Sequence, residues 1–125
     1  MIVADSDVLI DFLRGRGFAQ RVAIELRTRD FATTAISAFE LRSGSRQERQ
    51  ERLVDDLLSA MTILPVGSRE AKEAARLRLA LEAKGEGIGM ADYLIAGVCI
   101  VREALLITRN RSHFERLVPY GLSLS

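Results

Sequence analysis

The sequence predicts an α/β domain: a central, mostly parallel sheet of four to five short strands, flanked by helices on both faces and forming one domain over residues 1–125. Three observations predict it. Short apolar runs without alternation, at Ile2–Ala4, Phe31–Thr34, Thr62–Val66 and Leu105–Thr108, have the length of strands covered on both sides. Longer segments with apolar residues at helical spacing separate them. No linker, repeat or low-complexity tract interrupts the alternation, and 125 residues suffice for one core.

The elements follow in order. Ile2–Ala4 opens the sheet, and Asp5 would stand at its carboxyl end, the edge where open parallel sheets bind ligands. Val8 to Leu13 is helical, with Ser6 or Asp7 suited to cap it. Arg14-Gly15-Arg16-Gly17 interrupts, and a second helix is expected from about Phe18 to Arg29, with Phe18, Val22 and Leu26 on one face. Phe31–Thr34 carries strand-favouring residues and no charge. Ala35 to Arg42 reads as a helix, Ser43 to Glu51 as a polar loop and solvated helix start, and Leu53, Leu57, Leu58 and Met61 continue that helix to about Ala60. Thr62–Val66 is a third strand, with Pro65 at its end where a missing N–H is tolerated. Ser68 suits an N-cap and Glu70 the positive end of the helix dipole, with Ala71, Ala74, Ala75, Leu77 and Leu81 as the buried stripe and Lys84-Gly85 as the stop. Gly85, Gly87 and Gly89 lead into a helix from about Met90 to Glu103. Leu105–Thr108 is a buried strand, Arg109-Asn110-Arg111 its exit, His113–Arg116 one helical turn, and Tyr120–Leu124 a last edge strand.

With 48% hydrophobic and 28% charged residues, the composition is that of a soluble globular protein. No apolar run nears the roughly 20 residues a membrane span needs. Asp5, Asp7 and Asp11 come too early for a basic-then-apolar leader, so a cytoplasmic location without membrane attachment is expected. The one cysteine, Cys99, lies in an apolar run and is expected to be a buried thiol. A net charge of +1 gives no global argument for nucleic acid. Sixteen arginines stand against two lysines, Lys72 and Lys84; arginine suits bidentate phosphate contact, although an arginine-preferring genome gives the same bias.

The informative residues are acids where the pattern asks for apolar ones. From Ile88 to Val101 the only charge is Asp92, on a helix face shared with Ile88, Ile95, Ala96 and Cys99. A lone carboxylate there calls for a cation, unless it lies solvated in the first helical turn. Glu40 is the first charge after the uncharged run Phe31–Phe39; on its own, an exposed position at a helix edge explains it better, because polar residues follow at once. Asp5 and Asp7 flank Ser6, and Asn110 follows a buried strand at the same sheet edge, where Thr108 and Asn110 also suit turn chemistry. Brought together, Asp5, Glu40, Asp92 and Asn110 would form a cluster whose carboxylates, at ~4–5 Å, repel by several kcal/mol at an effective dielectric near 20. A divalent cation makes such a cluster favourable, and an all-oxygen site selects Mg²⁺ or Mn²⁺. One Cys and one His with no paired spacing argue against zinc.

Four segments carry a resemblance to a known family: Ile2-Val3-Ala4-Asp5-Ser6-Asp7-Val8-Leu9-Ile10-Asp11, Ile36-Ser37-Ala38-Phe39-Glu40-Leu41-Arg42-Ser43-Gly44, Ile88-Gly89-Met90-Ala91-Asp92-Tyr93-Leu94-Ile95-Ala96 and Leu106-Ile107-Thr108-Arg109-Asn110-Arg111-Ser112-His113-Phe114. In this order and over nearly the whole chain, the sequence resembles the PIN-domain ribonucleases, and among them the VapC-type toxins of toxin–antitoxin pairs. The resemblance implies a metal-dependent endoribonuclease with Asp5, Glu40 and Asp92 as metal ligands. It also implies a homodimer and a small antitoxin whose tail reaches the acidic site. Two departures stand out. Asp7 replaces the family's frequent Asn or Ser, and His113 a frequent acid, which puts a second metal in doubt.

The expected reaction is hydrolysis of an RNA phosphodiester at Mg²⁺ or Mn²⁺ held by Asp5 and Asp92, with Glu40 completing the cluster. Asn110 belongs to the same catalytic group, and Ser6, Asp7 and Thr108 are expected to support the ligands from behind. Arg109 and Arg111 are candidates for holding phosphates. Two rivals stand beside it: a phosphatase using Asp5 of Asp5-Ser6-Asp7 as nucleophile, and a non-catalytic module whose acids receive a basic partner segment.

Overall fold

The computed structural model describes residues 1–125. Its sheet has five strands, β1 (Ile2–Ala4), β2 (Phe31–Thr34), β3 (Thr62–Leu64), β4 (Leu105–Ile107) and β5 (Ser123–Leu124). All pairings are parallel and the spatial order is β3-β2-β1-β4-β5. Seven helices connect them: α1 (Ser6–Arg14), α2 (Ala19–Glu25), α3 (Ala35–Ser43), α4 (Glu48–Ser59), α5 (Ser68–Ala83), α6 (Met90–Val101) and α7 (Arg111–Phe114), followed by a 3₁₀ turn at Glu115–Tyr120.

Strand alternation builds two cores. Val3, Ala32, Leu64 and Leu106 point to one face and pack with Leu77 and Leu81 of α5, Ile95 and Cys99 of α6, and Phe114 and Leu117. Ala4, Phe31 and Ile107 point to the other and pack with Val8 and Leu9 of α1, Val22 of α2, Leu41 of α3 and Leu57 and Leu58 of α4. Cys99 lies fully within the first core, and burial pushes its thiol up to about 12. No helix is long and apolar enough to cross a membrane.

The topology locates the site. From β1 the chain steps outward through β2 to β3, then returns to the opposite side of β1 with β4. The order reverses between β1 and β4, and such a switch point opens a crevice at the carboxyl ends of the strands. Ala4 is in register with Thr33 and Ile107, so Asp5 leaves the sheet beside Thr108.

Several boundaries differ from the sequence reading. Helix α2 ends at Glu25, because the Thr28 hydroxyl donates to the Glu25 carbonyl at 2.8 Å and draws the chain into a turn. The N-cap of α1 is Asp5, not Ser6 or Asp7; Thr34 caps α3, and Gly67 rather than Ser68 precedes α5. On α5 the buried line is Glu70, Ala74, Leu77 and Leu81, while Ala71 and Ala75 are exposed. Alanine's small side chain marks no face by itself. What fixes this one is close approach of α6: a Cβ on Gly97 would stand 2.7 Å from the Glu70 carbonyl oxygen and 3.2 Å from the Ala74 Cβ. Strand β3 stops before Pro65, α6 stops at Val101, and β5 is confined to two residues after the 3₁₀ turn.

Candidate active site

Asp5 is the centre of the sheet edge. Its backbone N–H still donates to the Ile107 carbonyl at 2.9 Å, extending the ladder by one residue, and its side chain then caps α1. One carboxylate oxygen accepts the Ser6 N–H at 2.8 Å and the other accepts the Thr108 hydroxyl, also at 2.8 Å. The group is only 6% exposed. Burial first, and then the charges of Asp7 and Glu40, push its pKa up to about 7, against the lowering by its hydrogen bonds. A carboxyl group with two good donors would otherwise ionise readily.

The other acids share its field. The Ser6 hydroxyl bridges to Glu40 Oε1 on α3 at 3.3 Å. Glu40 is exposed, yet its pKa is raised by partial burial and by the charges of Asp92 and Asp7. Asp7, one residue into α1 and half-buried, is raised mainly by desolvation, against the Arg109 N–H that approaches its two oxygens at 3.3 and 3.2 Å. Asp92 lies in the first turn of α6, on the helix that packs against α3 and β4. Its Oδ2 is 3.3 Å from His113 Nδ1, which in turn is 2.9 Å from Asn110 Nδ2. A single ring nitrogen cannot both accept an amide N–H and donate to a carboxylate. With Nδ1 protonated, the Asn110 amide must therefore turn its oxygen to that side. Asn110 is tied to the edge by its own N–H, which donates to the Thr108 hydroxyl oxygen at 3.0 Å.

Residues from β1, α1, α3, α6 and the β4 exit thus meet at one edge. Asp5, Ser6, Glu40 and Thr108 form one hydrogen-bonded group, with Asp7 beside it on the Arg109 N–H; Asp92, Asn110 and His113 form the adjoining one, joined through Thr108. No three Asp, Glu, His or Cys side chains converge to form a coordination shell as they stand. The donor set nevertheless fits a hard divalent ion: it is rich in carboxylate oxygen, and its most buried member is costly to ionise without a cation beside it. The two candidate phosphate-binding arginines have other partners. Arg109 Nη1 lies 3.0 Å from Asp11 Oδ1, and Arg111 reaches the Ser125 carbonyl at 2.8 Å and Glu115 at 3.5 Å.

Three features escaped the sequence reading. Asp11 is 1% exposed, and the signal for it was present, since it is an acid inside the apolar run from Val8 to Leu13. The contact of His113 with Asp92 had no sequence signal beyond proximity to Asn110. Beside Glu40 a groove of about 420 Å³ runs between α1, α3 and α4, with Ile10, Leu13, Leu41, Leu53 and Val54 as its apolar walls and Arg14 and Arg49 among its polar residues.

A five-stranded parallel sheet in this order, with acids from the β1 end, α1, α3 and α6 gathered at its switch point, defines an α/β domain with an acidic site at one sheet edge. The PIN domain family matches residues 2–118, and the chain belongs to that family. Its relatives include Ribonuclease VapC10 of Mycobacterium tuberculosis, 36% identical over 95% of this chain and 92% of that protein. Ribonuclease VapC1 of Methanocaldococcus jannaschii is 29% identical over 98% of this chain and 85% of its own. Among solved structures, VapBC2 from Rickettsia felis, bound to a promoter DNA fragment, superposes with a TM-score of 0.85 at 26% identity, covering 100% of this chain and 98% of that one.

Proposed function

We propose that the protein is an endoribonuclease, the toxin of a VapBC-type pair, which hydrolyses RNA phosphodiesters with Mg²⁺ or Mn²⁺ at the β1 edge. One observation carries this reading: a buried carboxyl group at the end of β1, fixed on its two oxygens by Ser6 and Thr108, with Glu40 joined to it through the Ser6 hydroxyl. Asp5, Glu40 and Asp92 would hold the ion, and Asp7 is near enough to share in it. When bound, the ion supplies a hydroxide-like water and charge stabilisation on phosphorus. Ser6 and Thr108 fix the orientation of the acids by hydrogen bonds from behind. Asn110 offers an amide to substrate or water at the same edge. Single-stranded or looped RNA suits an open edge of this kind.

The relatives' names speak for a ribonuclease, and a solved neighbour from Klebsiella pneumoniae is a toxin–antitoxin complex. The groove beside Glu40 supports the same partner class here. Its apolar walls fit an amphipathic segment, Arg14 and Arg49 favour acidic residues on that segment, and Glu40 favours a basic residue at its end. A homodimer is part of this reading, and Phe39, Leu79 and Met90, exposed on α3, α5 and α6, are apolar side chains that a second copy could cover. A cytoplasmic location goes with an RNA target. The phosphatase reading loses ground because the relatives that match nearly the whole chain are named ribonucleases.

The test is cleavage of a mixed RNA substrate by the purified protein with Mg²⁺, Mn²⁺ or EDTA, alongside Asp5→Asn and Asp92→Asn. Metal-dependent cleavage lost in both folded variants supports the nuclease. No cleavage by the wild type with either ion leaves the binding module.

A further inference from the structure

Asp11 lies near the end of α1, is 1% exposed, and is the most deeply buried acid of the chain. Its Oδ2 accepts the Phe18 N–H at 3.1 Å, and its Oδ1 takes Arg109 Nη1 at 3.0 Å, with Arg16 Nε at 3.9 Å. The loop closes tightly over it: Gly17 sits at φ +55°, and a Cβ there would stand 2.1 Å from Asp11 Oδ2.

Arg109 joins this carboxylate to the candidate active site. Its own backbone N–H is shared between the two oxygens of Asp7, at 3.3 and 3.2 Å. Asp7 and Asp11 are four residues apart on α1 and so lie on one face. They grip the same residue, one by its backbone and the other by its guanidinium. The neighbours of Arg109 are Thr108, which donates to Asp5, and Asn110, which stands 2.9 Å from His113.

We infer that Asp11 is a positioning residue for the nuclease site: through Arg109 it locks the segment Thr108–Arg111 against α1 and thereby sets the places of Asp5, Asp7 and Asn110. This rests on the endoribonuclease reading for its catalytic consequence, and on the geometry alone for the lock. A loop-closing role would need only an acceptor for the Phe18 N–H. A buried charge is costly, and its retention is explained by the guanidinium it holds. The pair also gives Arg109 a different duty from holding substrate phosphate.

The test separates these roles. Asp11→Asn keeps an acceptor for Phe18 but turns an amide N–H toward Arg109. Arg109→Ala removes the guanidinium and keeps the backbone contact with Asp7. Each is expected to lower kcat about tenfold with KM within about twofold, the pattern of lost transition-state geometry. The double variant is expected to be no slower than the worse single, and Arg109→Lys to recover most of the loss. Amide hydrogen exchange at positions 109 and 110, read without RNA or metal, is expected to quicken about tenfold in both single variants.

A rise in KM confined to Arg109→Ala, with Asp11→Asn silent, would make Arg109 a phosphate contact and overturn the proposal. Multiplicative losses in the double variant, or unchanged exchange at residues 109 and 110, would do the same. If Asp11→Asn does not fold, the Arg109 variants decide by the same exchange and kcat readings. If the wild type cleaves no RNA, the proposed function fails while the exchange experiment still judges the lock.

Discussion

Replacing Asp5 by asparagine should stabilise the metal-free protein, and the gain should depend on pH in a defined way. Burial and the neighbouring acids push the Asp5 carboxyl in the folded protein up to about 7 from its ordinary 3.8. The native state therefore keeps a proton between about pH 4 and 7 that the unfolded chain has released. Stability is lost as pH rises through that window and the loss levels off above it. At ~1.4 kcal/mol per unit, the three-unit difference amounts to on the order of 4 kcal/mol at pH 8 and shrinks to about 1–2 kcal/mol at pH 5. The carboxyl group is 6% exposed, so solvent screening removes little of this. Asparagine keeps the shape and one acceptor oxygen, and its amide N–H can donate to a reoriented Thr108 hydroxyl. Urea denaturation of wild type and Asp5→Asn in EDTA at pH 5, 6, 7 and 8 measures the gap. Saturating Mg²⁺ should then raise the wild type by about 2.7 kcal/mol at a hundred times its Kd and leave the variant unmoved. Parallel pH curves for the two proteins, or a variant weaker at pH 8, would refute the reasoning.

Divalent-ion affinity should strengthen about tenfold from pH 6 to pH 8, since the ion competes with the proton on Asp5; isothermal titration with Mn²⁺ checks it, and a flat profile would remove Asp5 from the ligand set. Glu40→Gln and Asp92→Asn should each lower kcat about a hundredfold or more while circular dichroism stays native. Asp92→Asn should gain less metal-free stability than Asp5→Asn, because Asp92 keeps a 20% exposed side chain with His113 at 3.3 Å. Gly17→Ala should destabilise by about 2–4 kcal/mol in thermal melts, from its positive φ and the collision with Asp11. Leu53→Glu in the groove should weaken binding of the antitoxin segment about tenfold or more while RNA cleavage by the free toxin stays within about twofold.

The parallel sheet was legible because buried strands and amphipathic helices leave different periods, and the runs at Ile2, Phe31, Thr62 and Leu105 all became strands. The end of α2 was not, because a side-chain hydrogen bond from Thr28 ends it where the apolar pattern continues to Leu26. The stripe on α5 was misread at Ala71 and Ala75 because only the partner helix, through Gly97, determines which small residues are covered. Asp5 and Asp92 stood out as charges in apolar surroundings. Asp11 meets the same criterion, but its cation comes from residue 109, across 98 positions of chain, which no local pattern shows. The partners of Arg109 and Arg111 depend on packing of the β4 exit against α1 and the C-terminus, which no local pattern records. The groove beside Glu40 arises from the spacing of three helices and has no sequence motif at all.

The endoribonuclease reading requires that acids of the β1 edge form one divalent-ion site. Crystals of the wild type soaked in Mn²⁺ and measured for anomalous scattering test it most directly. The expected result is a peak in contact with Asp5 and at least one of Glu40 and Asp92, absent from Asp5→Asn crystals. A peak held elsewhere on the molecule, or none at a concentration that supports RNA cleavage, would contradict it.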